Sequence, residues 1–161
     1  SRMESAAAYA DALRAVPAIW VGGSGEKLTL NLAARLADGV NLQGKESVIA
    51  HKLSLLREIC REQDRLFDSL TISKQANVII DTTQEKIAQK LARIMPDESK
   101  WKSFRENNVV GTPEECLSSI ARFLQLGVSY FTLNFPDLFD LESIRLFDHE
   151  VIGRIQSEVY A

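Results

Sequence analysis

Four consecutive residues, Gly22-Gly23-Ser24-Gly25, offer the clearest chemistry in the chain. An apolar run, Ala18-Ile19-Trp20-Val21, leads straight into them, and a helical pattern starts at Glu26-Lys27-Leu28. A glycine-rich turn between a strand and a helix is suited to holding a phosphate. Glycine lets the backbone come close, and the free N–H groups of the helix's first turn point at the anion. The Ser24 hydroxyl adds a donor. Lys27 would add charge, although a solvated lysine on the helix face is the simpler reading. A plain turn also favours glycine, but three Gly and one Ser in four positions exceed what a turn requires. The stretch is not a dinucleotide fingerprint, because Leu28 stands at the third glycine position. It is not a Walker loop either, because no Gly-Lys-Ser/Thr occurs.

Other reactive side chains are scattered. Cys60 and Cys116 fall on separate predicted helices without metal-ligand spacing and read as reduced thiols. His51 and His149 fall on helices, away from strand ends. Glu114-Glu115 follows Thr112-Pro113, where helix capping accounts for both carboxylates. Asp137 and Asp140 stand before the last helix as capping residues. Trp101 and Phe104 are expected to pin an insertion onto the domain rather than to stack on a cofactor. No Ser/His/Asp set and no metal cluster is present, so no catalytic residue and no metal site is assigned.

Hydrophobic periodicity sets the elements that must position the loop. An alanine-rich, weakly helical N-terminal segment (1–16) precedes Pro17. Residues 18–22 read as a continuous apolar strand, a pattern that implies burial on both faces. A helix over 26–37 carries Leu28, Leu32 and Leu36 at i+4 spacing and stops at Gly39. Val40-Asn41-Leu42 is a short strand, and a helix over 46–63 sets Ile49, Leu53, Leu56 and Cys60 on one stripe. Strand 70–80 is followed by Asp81-Thr82-Thr83, which caps a helix running to Ile94. Residues 96–109 form an insertion with a short helix. A capping box at Thr112-Pro113-Glu114-Glu115 starts a helix that Gly127 ends. Strand 128–134 and a last helix over 141–159 follow, with Ile144, Phe147, Val151, Ile155 and Val159 expected inward.

The 161 residues suffice for one domain, 1–161, with a buried core. Against 22 acidic side chains stand 19 basic ones, a net charge of −3 that argues against a nucleic-acid partner. No stretch reaches the roughly 18–20 apolar residues of a membrane span, and no secretory leader is expected. With two unpaired cysteines, the expected location is the cytoplasm. Ser1-Arg2 ahead of Met3 reads as an appended dipeptide.

Strands that each precede a helix imply a parallel sheet with right-handed crossovers. An open doubly wound sheet fits this order, and so do four βα units of a TIM (β/α)8 barrel. Periodicity does not choose between them.

A resemblance does. The strand and loop of Ala18–Leu30, the helix with Ala33-Ala34, and Ala37-Asp38-Gly39 opening the next strand resemble the luciferase-like monooxygenase family. That family includes bacterial luciferase, alkanesulfonate monooxygenase and the deazaflavin (coenzyme F-420) dehydrogenases and reductases. Val110-Gly111-Thr112-Pro113-Glu114-Glu115, with Gly127-Val128-Ser129-Tyr130-Phe131 downstream, is similar to the approach to its last strand. Leu141-Glu142-Ser143 through Phe147 and Val151-Ile152 is similar to its terminal helix.

The resemblance implies the C-terminal half of a TIM barrel, strands five to eight, with the insertion before the last strand. It implies FMN or coenzyme F-420 as cofactor without choosing between them. The family grips the cofactor phosphate partly through the loop after strand five, here Gly22, Gly23, Ser24 and Gly25. Asn134 and Asn41, at the ends of the last and second strands of this half, are expected to line the active end of the barrel. Asn134 also reads as a turn former before Phe135-Pro136. The family's ring-supporting bulge and most of its acid–base residues lie in the first four units, which have no counterpart here. The expected function is therefore part of a flavin- or F-420-dependent oxidoreductase, inactive as an isolated half. The alternatives are a non-catalytic half-barrel module and a phospholigand-binding α/β protein. Unpaired strands at both edges of a half-barrel lead to the expectation of a homodimer.

Overall fold

The computed structural model describes residues 18–23, 25–136 and 140–159. The expected N-terminal helical segment, Ser24 and Asp137 lie outside the described residues. The strands are β1 (Trp20–Gly22), β2 (Gly39–Leu42), β3 (Thr71–Ile80), β4 (Val109–Gly111) and β5 (Tyr130–Asn134). The helices are α1 (Glu26–Leu36), α2 (Glu46–Glu62), α3 (Gln84–Ile94), α4 (Trp101–Asn107), α5 (Pro113–Gln125), α6 (Leu141–Phe147) and α7 (Gly153–Val159). A π-helical turn, Asp148–Ile152, joins the last two.

All described strand pairings are parallel. The path runs β1–β2–β3, and β3 also pairs with β4 and β5. The sequence pattern does not announce β4. Val109–Gly111 is too short to show a period, and its strand character comes from pairing with Val78–Ile80, beyond the stretch of β3 that pairs with β5.

The sheet is curled. Trp20 and Tyr130 stand on strands three places apart, which in a flat sheet means about 14 Å. Their rings nevertheless meet edge to face at 5.0 Å between centroids. Trp20 lies over Gly39, where a Cβ would come within 2.9 Å of the indole. The concave face is thus closed at its lower end by an aromatic pair. This architecture is half of a (β/α)8 barrel.

The convex face holds the core. Val40, Leu42, Ile72, Ala76, Val78 and Ile80 are buried, and Ile49, Leu53, Leu56 and Cys60 of α2 cover the first of them as expected. Helix α1 is rotated from the expected face. Leu30, Ala33, Ala34 and Ala37 are buried, while Leu28 and Leu36 are about 70% exposed. The small alanines let α1 sit close to the sheet and α2, which turns the leucine stripe outward. Arg65 closes the end of α1, donating to the carbonyls of Ala33, Ala34 and Ala37 at 3.1, 3.1 and 2.6 Å.

Strand β1 also departs from expectation. Ile19 and Trp20 are exposed rather than buried on both faces, because among the described residues β1 pairs with β2 alone. In α6, Ile144 points outward and Ser143 inward. The Ser143 hydroxyl donates to Ile80 O at 3.3 Å, while the π turn keeps Phe147 and Val151 in the core. Trp101 and Phe104 do pin the insertion. They pack on the cluster of Ile79, Ile87 and Leu91, and Trp101 Nε1 donates to Met95 O at 2.9 Å.

Candidate functional site

Helix α1 follows Gly25, whose N-cap position, lacking a side chain, makes no side-chain hydrogen bond to the first-turn amides. Gly22, Gly23 and Gly25 are exposed. Glycine here also has a packing reason. A Cβ on Gly23 would lie 3.0 Å from the Thr29 hydroxyl, and one on Gly25 would lie 3.3 Å from it.

Gly22 is in register with Asn41 on β2, and Asn41 with Ser73 on β3. From there a row of neutral polar side chains crosses the sheet. Ser73 Oγ donates to Asn41 Oδ1 at 3.1 Å, and Gln43 Nε2 donates to Gln75 Oε1 at 2.8 Å. Asn41 Nδ2 reaches the same Gln75 oxygen at 3.4 Å. Higher on the face, Asn134 Nδ2 donates to Asn77 Oδ1 at 2.8 Å, and Asn77 Nδ2 donates to Asn108 Oδ1 at 3.0 Å. Both expected asparagines therefore join a hydrogen-bonded row on the concave side, each through β3.

Gln75 and Asn77 are the residues the sequence reading missed. Their signal was present in Ser73-Lys74-Gln75-Ala76-Asn77, where polar groups fall on every second position of a strand. The row offers amide donors and acceptors and carries no titrating group. It can orient a ligand and cannot by itself move a proton.

The remaining reactive groups stand elsewhere. His51 pairs with Glu26 and His149 with Glu150 on exposed helix faces. Burial pushes the Cys116 thiol up to about 12, with Glu115 and Glu114 adding to it. Burial also raises Cys60, against the opposing charge of Arg65. Neither thiol is a nucleophile at neutral pH. Thr112 and Glu115 form the expected capping box, and Asp140 caps α6 by accepting from Ser143 N. Among the described residues no group of His, Cys, Asp and Glu could hold a metal ion, and no helix is long and apolar enough to cross a membrane.

One charged cluster does lie at the end of β3. Lys90 Nζ meets Asp81 Oδ2 at 2.9 Å and Asp140 Oδ2 at 2.7 Å, and donates to Ile80 O and Ser143 Oγ. Every acceptor is already used in joining β3, α3 and α6, so the cluster is a strut between elements.

The family model for luciferase-like monooxygenases matches residues 3–130. The chain belongs to that family. The match takes in the Gly22–Gly25 loop and the capping-box helix, and it ends before α6. None of the curated proteins matches the chain. Among solved structures, riboflavin lyase, determined with modified FMN and riboflavin, superposes with a TM-score of 0.71 at 16% identity over 90% of this chain and 44% of its own. The EDTA monooxygenase of a Chelativorans species gives 0.70 at 16% identity, covering 88% of this chain and 47% of that one. The coenzyme F-420-dependent tetrahydromethanopterin reductase of Methanopyrus kandleri gives 0.62 at 14% identity, covering 85% and 50%. At these identities the likeness is one of fold. This luciferase-like chain spans about half the length of those structures, as a half-barrel should.

Proposed function

We propose that this chain is the cofactor-phosphate half of a flavin- or deazaflavin-dependent oxidoreductase of the cytoplasm. The observation that carries the reading is that Gly22, which leads into the exposed Gly23 and Gly25 ahead of α1, stands in register with Asn41, where the neutral polar row begins. Amides at Gly22, Gly23 and Gly25 and the Ser24 hydroxyl would hold the phosphate of FMN or coenzyme F-420. Asn41 and Asn134 would line the path toward the ring. The cofactor, when bound, supplies hydride-transfer chemistry. The solved neighbours with FMN and with F-420 dependence support both cofactors equally.

Replacing Gly23 with valine tests the cradle. Cofactor binding, read from the visible absorbance of protein-bound FMN or F-420, is expected to fall at least tenfold, a larger loss than the destabilisation that the Thr29 contact and the positive φ of Gly23 impose. The contact with Thr29 favours a second reading, a packed turn in a non-catalytic half-barrel. Equal loss of binding and of stability in the Gly23→Val chain would support that reading instead.

Assembly follows from the edges. Among the described residues β1 pairs only with β2, and β5 only with β3. Neither Trp20–Gly22 nor Tyr130–Asn134 contains the lysine or proline that blunts an open edge, and Ile19, Trp20 and Tyr130 are exposed beside them. Two copies related by a twofold axis would cover these edges. Sedimentation at micromolar concentration is expected to show a species of twice 18.0 kDa, and a stable monomer would exclude this contact.

A further inference from the structure

We propose that the cleft between the start of α2, the insertion helix α4 and the middle of α5 binds a small phosphate-bearing anion. It lies among the helices on the convex side and does not depend on the cofactor reading. Its volume is about 470 Å3, within the range of small-ligand pockets.

The cleft is held from beneath. Lys74 is fully buried, with Nζ 4.3 Å from the centroid of the Phe123 ring that lines the cleft. The same ammonium donates to Gly44 O at 2.9 Å, ahead of α2, and to Asn107 O at 3.0 Å, at the end of α4. One buried cation thus ties two walls together.

Those walls are basic. Lys45, Arg105 and Arg122 line them against Glu46 and Glu106. The pairs Lys45–Glu106 at 3.7 Å and Arg122–Glu46 at 3.3 Å are about half exposed, so they are loose and exchangeable. Arg105 is half-buried and has no ion-pair partner among the described residues. The start of α2, a helix of 17 residues, opens onto the cleft at Lys45, Glu46 and Ser47, and its N-cap makes no side-chain hydrogen bond.

Ser119 points to a ligand independently of the helix terminus. It is only 8% exposed and lines the cleft, yet its hydroxyl has no hydrogen-bond partner among the described residues. The Ser119 hydroxyl, open to the cleft on an otherwise buried residue, the Arg105 guanidinium and the first-turn amides of α2 are all donors. Phosphate, with several acceptor oxygens and double charge, satisfies them together where a carboxylate would satisfy fewer.

The test is calorimetric titration of the chain with inorganic pyrophosphate at low salt. Saturable binding is expected, weakening as sodium chloride is added. Arg105→Gln is expected to weaken it about tenfold or more, and Ser119→Ala severalfold, with melting temperatures unchanged. Arg105→Lys, which keeps charge but loses the fork, should retain part of the affinity. Absence of saturable binding would overturn the proposal. So would full affinity in Arg105→Gln, or loss of binding in Ser24→Ala instead, which would assign the anion to the glycine loop.

Discussion

Replacing Lys90 with methionine is expected to lower the unfolding free energy by about 3 kcal/mol, the lower end for removing one partner from a buried ionic cluster, because this cluster is only half-buried. Methionine keeps the volume and removes the charge. Asp81 and Asp140, each 16% exposed, would lose the cation they share, leaving Asp81 its looser 3.6 Å pair with Lys86. The Ile80 carbonyl and Ser143 hydroxyl would lose a donor as well. A melting temperature lower by roughly 10 °C should follow in a domain of this size.

The cluster also predicts a pH dependence. Burial pushes the Asp140 carboxyl up, but hydrogen bonds from Lys90 and Ser143 outweigh it and hold the group at about 2. Asp81 is lowered in the same way, burial being outweighed by Lys90 and Thr82. A carboxylate with a depressed folded value stabilises fully above its unfolded value of about 3.9, and that stability is lost as pH falls toward about 2. Asp140 alone accounts for about 1–2 kcal/mol once solvent screening of this half-buried group is allowed for. On Lys90 burial lowers the ammonium, and hydrogen bonds to Asp140 and Asp81 more than restore it. Its contribution is complete below its unfolded value and lost only as pH rises through the higher folded one. Urea unfolding at pH 7 and pH 3 should show the parent losing stability with acid while Lys90→Met, relieved of carboxylate repulsion, loses less. Parallel losses would show that the three groups are not coupled.

What the sequence made legible was whatever is encoded locally. Thr112-Pro113-Glu114-Glu115 specifies a helix start through contacts within four residues, and the structure has that capping box. The α2 stripe of Ile49, Leu53, Leu56 and Cys60 buries as written. Features set by partners distant in the chain were not legible. The Leu28, Leu32 and Leu36 stripe is as periodic as the true core face, and only the close seat of Ala33 and Ala34 decides which side is buried. Arg65 caps a helix some 30 residues upstream, a contact without sequence signature. Lys74 stands in an apolar strand face because two carbonyls from separate loops converge on it. At the candidate site, the strand-end asparagines could be found from position alone. Gln75 and Asn77 needed the register of β3 against β2 and β5.

No turnover is expected from this chain alone with FMNH2 or reduced coenzyme F-420, while addition of a complementary four-unit half-barrel should bring it. The concave face presents Asn41, Ser73, Gln75, Asn77 and Asn134, none of which changes charge near neutrality. The histidines and cysteines are placed away from it, and the Tyr130 phenol at its lower end is packed edge to face on Trp20. His51 and His149 are on exposed helix surfaces, and Cys60 and Cys116 are buried with raised thiols. Absence of a positioned general acid or base removes roughly 100- to 10,000-fold in rate. Among the described residues nothing pairs with the outer edges of β1 and β5, so on the proposed reading the concave side is open to water. On the proposed reading, binding and turnover should therefore separate: the loop would hold the cofactor, and chemistry would await groups that the described residues of this chain do not supply. Stopped assays with each cofactor, run with and without the complementary half, distinguish the cases. Turnover by the isolated chain above the free-cofactor rate would mean that one of its own side chains transfers the proton, and the assignment of the concave row as a purely orienting surface would fall.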